Sequence, residues 1–260
     1  MNILFLLLLC LIQASTEFLP VSSSGHLLLL EKLFNYNDNY ISLNLFLHLA
    51  TLFAVVIYYR KTIFELLKKP FQPLTYKLAL STIITIIFAF MYEHFNLSLK
   101  LDKYFGFYFL ITATILLVTY LYKKKSVILN VNGLTYRHSA IVGLSQTVAI
   151  LPGISRSGAT ISTMLLLGNN EKDSSEFSFL LSIPIIIGGF IFEIVKINDF
   201  NAVFNIFPLF YLIIAFFITF FISLISLKLM IKFINNNKFI YFSIYLYIIG
   251  IISILLFFIT

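Results

Sequence analysis

The side chains able to do chemistry fall in two stretches, Gln13 to His26 (QASTEFLPVSSSGH) and Gln146 to Gly158 (QTVAILPGISRSG). Setting Gly25 on Gly158 aligns Gln13 with Gln146, Ser22 with Ser155 and Ser24 with Ser157. Each stretch leaves an apolar run, breaks at a proline, passes a serine-rich turn and resumes an apolar helix at a glycine. The first carries Glu17 and His26 and the second Arg156, nearly the only ionisable groups in apolar surroundings. Ser22, Ser23, Ser24 and Gly25 precede one helix, and Ser155, Ser157 and Gly158 precede the other. A helix N-terminus offers free N–H groups and a positive dipole end, which suit phosphate. Glycine lets backbone approach closely, serine hydroxyls add donors, and Arg156 supplies a fork for two oxygens. Two such ends brought together make a socket for a pyrophosphate. Serine also caps broken helices in transporters, and Arg156 is what favours the phosphate reading.

Hydrolysis asks for an activated nucleophile as well. His26 stands three residues after Ser23 and could take its proton or attack phosphorus itself. Gln13 and Glu17, at i and i+4 on one helical face, can offer two oxygens to a divalent cation. Mg²⁺ or Ca²⁺ suits oxygen ligands better than Zn²⁺ and would neutralise phosphate charge and polarise the scissile bond. Glu17 with Arg156, taken alone, could be a structural ion pair holding two halves together. The serine turns shift the balance toward a reactive site.

These groups must be positioned inside a membrane. Of 260 residues, 60% are hydrophobic and only 11% charged, against about 25% charged in soluble domains. The chain is therefore an all-α polytopic integral membrane protein without a separate soluble domain. The single cysteine, Cys10, excludes a disulfide framework and a thiolate metal site. The net charge of +7 belongs to loop lysines that set topology, not to nucleic-acid binding. The N-terminal run resembles a signal peptide but lacks its positive n-region.

Six apolar segments, near 42–59, 78–95, 104–122, 177–195, 206–227 and 239–258, have about the length that spans the hydrocarbon. The segments flanking Pro20 and Pro152 are too short on each side of the break, so each reads as a re-entrant hairpin, near 3–33 and 139–168. With the 60–77 loop cytoplasmic, thirteen of the 18 Lys and Arg residues lie inside, four (Lys32, Lys100, Lys103 and Lys196) lie outside, and Arg156 stays in the membrane. The hairpins then enter from opposite faces, and each is followed by three spans. The expected organisation is two inverted-topology repeats, 1–122 and 130–260, joined by a cytoplasmic linker at 123–129, with hairpin tips meeting near mid-membrane. Tyr36, Tyr40, Tyr58, Tyr59, Tyr120 and Tyr122 are expected interface anchors. His48 and Glu193, with no polar cluster beside them in the sequence, are expected to pack or to sit at an interface.

At these residues the chain resembles the bacitracin-resistance family of undecaprenyl pyrophosphate phosphatases. Gln13-Ala-Ser-Thr-Glu17 resembles its glutamate-rich motif, Phe18 to His26 its FLPVSSSGH block, and Pro152 to Gly158 its PGxSRSG block. HLATLFAVV at 48–56, GLSQTVAILPG at 143–153 and EFSFLLSIP at 176–184 extend the resemblance over both halves. It implies removal of the terminal phosphate of undecaprenyl pyrophosphate on the outer, periplasmic face of the bacterial inner membrane. That step recycles the lipid carrier for peptidoglycan synthesis and gives tolerance to bacitracin, which competes for the pyrophosphate form. It also implies Glu17, Ser23, His26 and Arg156 as the catalytic set, and it leaves Ser23 and His26 both open as nucleophile. Many members have Glu where Gln13 stands, so metal affinity is expected to differ here. Membrane lipids surround such a protein, nucleic acid is no partner, and a homodimer is compatible with it. The type-2 phosphatidic acid phosphatases share a Ser-Gly-His and a Ser-Arg, but they need a histidine six residues after the arginine, where Ser162 stands. A lipid flippase or other transporter built on inverted repeats is the competing class. His26 beside a row of serines is what transport would not require.

Overall fold

The computed structural model describes residues 3–34, 41–95, 97, 102–123, 134–196 and 208–257. Those residues form eleven α-helices, a single 3₁₀ turn at Asp102–Tyr104 and no strand. In chain order the helices are α1 (Ile3–Thr16), α2 (Ser23–Leu33), α3 (Ile41–Tyr58), α4 (Arg60–Lys68), α5 (Pro73–His94), α6 (Phe105–Tyr122), α7 (Tyr136–Val148), α8 (Arg156–Leu166), α9 (Glu171–Lys196), α10 (Leu209–Asn235) and α11 (Phe239–Phe257). Five of them, α5, α6, α9, α10 and α11, are long and apolar enough to cross a bilayer, and α3 with α4 makes a sixth, bent span.

The two broken segments are pairs of short helices, α1 with α2 and α7 with α8, as the prolines and serines imply. Local chemistry sets their ends. Ser22 caps α2 by accepting from the Gly25 N–H at 3.3 Å, and Ser155 caps α8 by accepting from the Gly158 N–H at 3.0 Å. Proline at the first position of α5 starts that helix at residue 73, five residues before the expected span.

The loop expected at 60–77 is a helix over much of its length. α3 ends at Tyr58 and the chain turns by 78° into α4, whose RKTIFELLK alternates apolar and basic residues with helical period. Leu67 and Phe64 are exposed on it, as is Phe71 beyond it. A helix of this kind suits a membrane interface, with α3 supplying the crossing part of the bent pair. Tyr59 at the bend is buried against Phe179, so it is no interface anchor. Tyr120 and Tyr122, at the end of α6, are exposed as expected. Tyr36, Tyr40, most of the 123–129 linker and the side chains of Glu193 and Lys196 lie outside the described residues.

Lipid tails are as apolar as leucine, so membrane helices associate through close packing and hydrogen bonds. α6 lies along α11, where a Cβ on Gly250 would come within 2.7 Å of Leu110, and Ser243 donates to the Ala113 carbonyl at 2.7 Å. α7 lies along α5, where Gly143 meets Ser81 and Ser81 donates to the Ser139 carbonyl at 2.7 Å. On the other side α1 packs on α10, and α3 packs on both α9 and α10. These contacts leave the turns of the two hairpins facing each other in the interior.

Candidate active site

The turns of the two hairpins are joined by three direct hydrogen bonds. Gly153 N–H donates to Ser22 Oγ at 3.1 Å, Ser157 Oγ to the Leu19 carbonyl at 3.2 Å, and Arg156 Nη2 to Glu17 Oε1 at 2.6 Å. The approach is close enough to require glycine. Gly153 has φ +109°, and a Cβ there would lie 2.5 Å from the Phe105 carbonyl oxygen, while one on Gly25 would lie 2.7 Å from the Gly153 Cα. Ser22 also takes a positive φ of 66°, which turns its hydroxyl to serve both hairpins at once.

Glu17 is the centre of the arrangement. Its Oε1 receives Arg156, and its Oε2 receives Ser23 Oγ at 2.6 Å and Gln13 Nε2 at 3.0 Å. A carboxylate with this many donors stays ionised at low cost inside a bilayer, where a lone charge costs several kcal/mol. Arg156 Nη1 is buried and has no hydrogen-bond partner among the described residues. A buried guanidinium N–H left open next to serine hydroxyls is a place for an anionic oxygen. Glu17, Ser22, Ser23, Ser24, Ser155 and Arg156 line one cavity of about 450 Å³. A second cavity of about 500 Å³, walled by Phe90, Ile86, Ile185, Gly188 and Phe192 among others, adjoins it and shares Ile150, Ile185, Gly189 and Phe192.

The remaining expected residues lie behind this wall. Gly25, Ser157 and Gly158 shape the turns, with Ser155 Oγ and Ser157 Oγ 3.2 Å apart. His26 is buried, and both of its ring nitrogens are engaged: Nδ1 donates to the Ser22 carbonyl at 2.7 Å, and Nε2 lies 2.6 Å from the Tyr245 hydroxyl. The ring stacks on Tyr245 and meets Phe109 edge-on. It is therefore not placed to take a proton from Ser23, and the acceptor beside Ser23 is Glu17.

His48, expected only to pack, is at the site. Its Nε2 lies 3.5 Å from Glu17 Oε2, its Nδ1 donates to the Asn44 carbonyl at 2.7 Å, and it lines the polar cavity. The sequence held one signal for it: an ionisable residue in the middle of an apolar span is functional by default. Gln146, the counterpart of Gln13, does something else, donating to Thr85 at 2.9 Å between α7 and α5.

A family model described as "Bacitracin resistance protein BacA" matches residues 6–252. The chain belongs to the BacA bacitracin-resistance family. Among similar family members, the undecaprenyl-diphosphatase of Carboxydothermus hydrogenoformans is 35% identical over 252 residues, 96% of each chain. That of Thermosipho africanus is 39% identical over 254 residues, covering 95% of this chain and 97% of its own. That of Methanococcus aeolicus is 31% identical over 99% of both. The BacA match takes in the second hairpin, the first from residue 6 onward, and all the cavity residues named above.

Proposed function

We propose that this chain is an integral-membrane phosphatase that hydrolyses undecaprenyl pyrophosphate to undecaprenyl phosphate and inorganic phosphate. The observation that carries the reading is the Ser23–Glu17 contact of 2.6 Å beside a guanidinium with an open N–H. Ser23 Oγ attacks the terminal phosphorus as its proton passes to Glu17, the bond from that phosphorus to the bridging oxygen breaks, and undecaprenyl phosphate leaves. Water then cleaves the phosphoserine. Arg156 and the N-termini of α2 and α8 hold the phosphate oxygens whose charge shifts during transfer. The adjoining apolar cavity suits the first isoprene units of a lipid tail. A transporter of the same architecture has no need of a hydroxyl bonded to a carboxylate, and the names of the relatives point to hydrolysis as well.

A divalent cation fits beside Glu17. Gln13 is fully buried, its Nε2 faces Glu17 and its Oε1 has no partner among the described residues, so a turn of the amide would offer that oxygen beside the carboxylate. No group of three or more His, Cys, Asp or Glu able to hold a metal occurs among the described residues, so the ion would share its coordination with phosphate oxygens and water. Gln13 and Glu17 would hold it, and it would neutralise phosphate charge during transfer.

The helix contacts support two inverted repeats, 1–122 and 130–260. The first hairpin's α1 rests on α10 of the second half, the second hairpin's α7 rests on α5 of the first, and the terminal spans α6 and α11 pair with each other. A two-fold axis in the membrane plane would exchange these contacts. The lysine bias and the family resemblance support a site in the bacterial inner membrane with the cavity opening to the periplasm, where the protein would recycle the carrier for peptidoglycan synthesis and confer bacitracin tolerance. Purified protein with undecaprenyl pyrophosphate and Mg²⁺ or Ca²⁺ is expected to release phosphate and to stop on addition of a chelator. Movement of labelled lipid across vesicles without phosphate release would contradict the reading.

A further inference from the structure

We propose that His48 is a third protein ligand of the cation, which makes this a mixed nitrogen and oxygen site suited to Mn²⁺ or a similar transition ion instead of Ca²⁺. The inference rests on the metal-dependent phosphatase reading and goes beyond it in ligand and ion. The first support is orientation. His48 Nδ1 donates to the Asn44 carbonyl at 2.7 Å, so Nδ1 carries the proton, and in the neutral ring Nε2 presents a lone pair. A backbone carbonyl on the far nitrogen is the arrangement that fixes the tautomer and aim of metal-binding histidines. Asn44 is itself tied by its side chain to Glu31 at 3.2 Å, which holds this part of α3 in place.

The second support is what Nε2 is aimed at. It stands 3.5 Å from Glu17 Oε2. Two lone-pair donors facing each other repel unless a proton or a cation lies between them. Donors that share one small cation at bond lengths of about 2.1 Å stand roughly 3 to 3.5 Å apart. Third, the neighbouring Gln13 has a buried Oε1 without a partner among the described residues, and a half-turn of its amide would bring that oxygen to the Glu17 side. Arg156 occupies Oε1 and Ser23 Oγ donates to Oε2, so the ion would take the place beside Oε2 where the Gln13 amide now donates. His48 also lines the polar cavity, so phosphate oxygens can complete the coordination. An imidazole in place of an oxygen ligand disfavours Ca²⁺ and favours first-row transition ions.

The test uses tag-free protein in detergent, free of imidazole, with limiting Mn²⁺ and methylenediphosphonate, a non-hydrolysable pyrophosphate. Electron-spin-echo modulation of the bound Mn²⁺ is expected to show a ¹⁴N coupling that is absent in His48→Gln. That variant is also expected to bind Mn²⁺ about tenfold or more weakly, with a smaller loss for Mg²⁺. His48→Asn serves as a second variant, and size-exclusion chromatography confirms that each is folded. A wild-type spectrum without ¹⁴N coupling, or a coupling retained in both variants, overturns the assignment even if the wild type hydrolyses its lipid. A coupling lost with His48 in a protein that releases no phosphate supports the site and counts against the phosphatase reading alone.

Discussion

Glu17 carries two burdens that pull in different directions. It must remain a carboxylate at membrane depth, which Arg156 and Gln13 secure, and it must accept the Ser23 proton, which strong stabilisation of the anion discourages. In the proposed reaction a phosphate entering the cavity would relieve the conflict by drawing Arg156 Nη1, and part of the guanidinium charge, toward itself. The geometry of the fork therefore matters beyond its charge. Arg156→Lys keeps the cation but cannot bind Glu17 and phosphate together, and its kcat/KM is expected to fall about 10²-fold while the protein stays in the membrane. Steady-state phosphate release checks this, and a loss under threefold would speak against the assigned role. The sequence made Glu17, Ser23 and Arg156 legible because an acid and a guanidinium in apolar stretches have few uses. It did not foresee where the two histidines lie. His26 looked reactive because it follows the serines, yet its nitrogens are held by Ser22 and by Tyr245, which lies 219 positions away. His48 looked inert because its partner is far from it in sequence.

At the scale of elements, the site depends on two broken helices whose turns interlock. Ser22 Oγ accepts from Gly25 within its own hairpin and from Gly153 of the other, so each turn helps cap its neighbour. Gly153→Ala would place a methyl 2.5 Å from the Phe105 carbonyl oxygen at a φ that L residues rarely adopt. It is expected to cost about 1–3 kcal/mol from the backbone alone and to lower the thermal midpoint in detergent along with activity. Unchanged melting would show that the turns do not depend on this close approach. The hairpins were legible because proline, serine and glycine mark a break within runs too short to span. The bend after α3 was not. Arg60 to Lys68 carry the charges of a loop, and the helical period of their apolar residues shows only when Ile63, Phe64 and Leu67 are set on one face.

For the whole molecule, the turns of the two hairpins meet, so in the proposed reaction the reacting groups of one face the phosphate-binding groups of the other and neither half holds a complete site. The apolar cavity beside the polar one exists because α9 presents Gly188 and Gly189, where an added Cβ would meet nothing within 4 Å. Gly189→Leu is expected to fill the junction of the two cavities, raising KM severalfold for a long-chain pyrophosphate and much less for a short-chain one. Equal effects on both substrates would place the tail elsewhere. The composition made this helical membrane architecture readable, but the cavity was not, because it is a volume left between α5, α9 and the turn that follows α7 and has no motif of its own. The central claim is that Ser23, activated by Glu17, attacks the phosphate where the turns meet. Single-turnover phosphate release from undecaprenyl pyrophosphate by folded Ser23→Ala and His26→Gln tests it most directly. The account predicts that Ser23→Ala falls to the uncatalysed background while His26→Gln retains a measurable chemical step. A Ser23→Ala protein that turns over at the wild-type rate would contradict it.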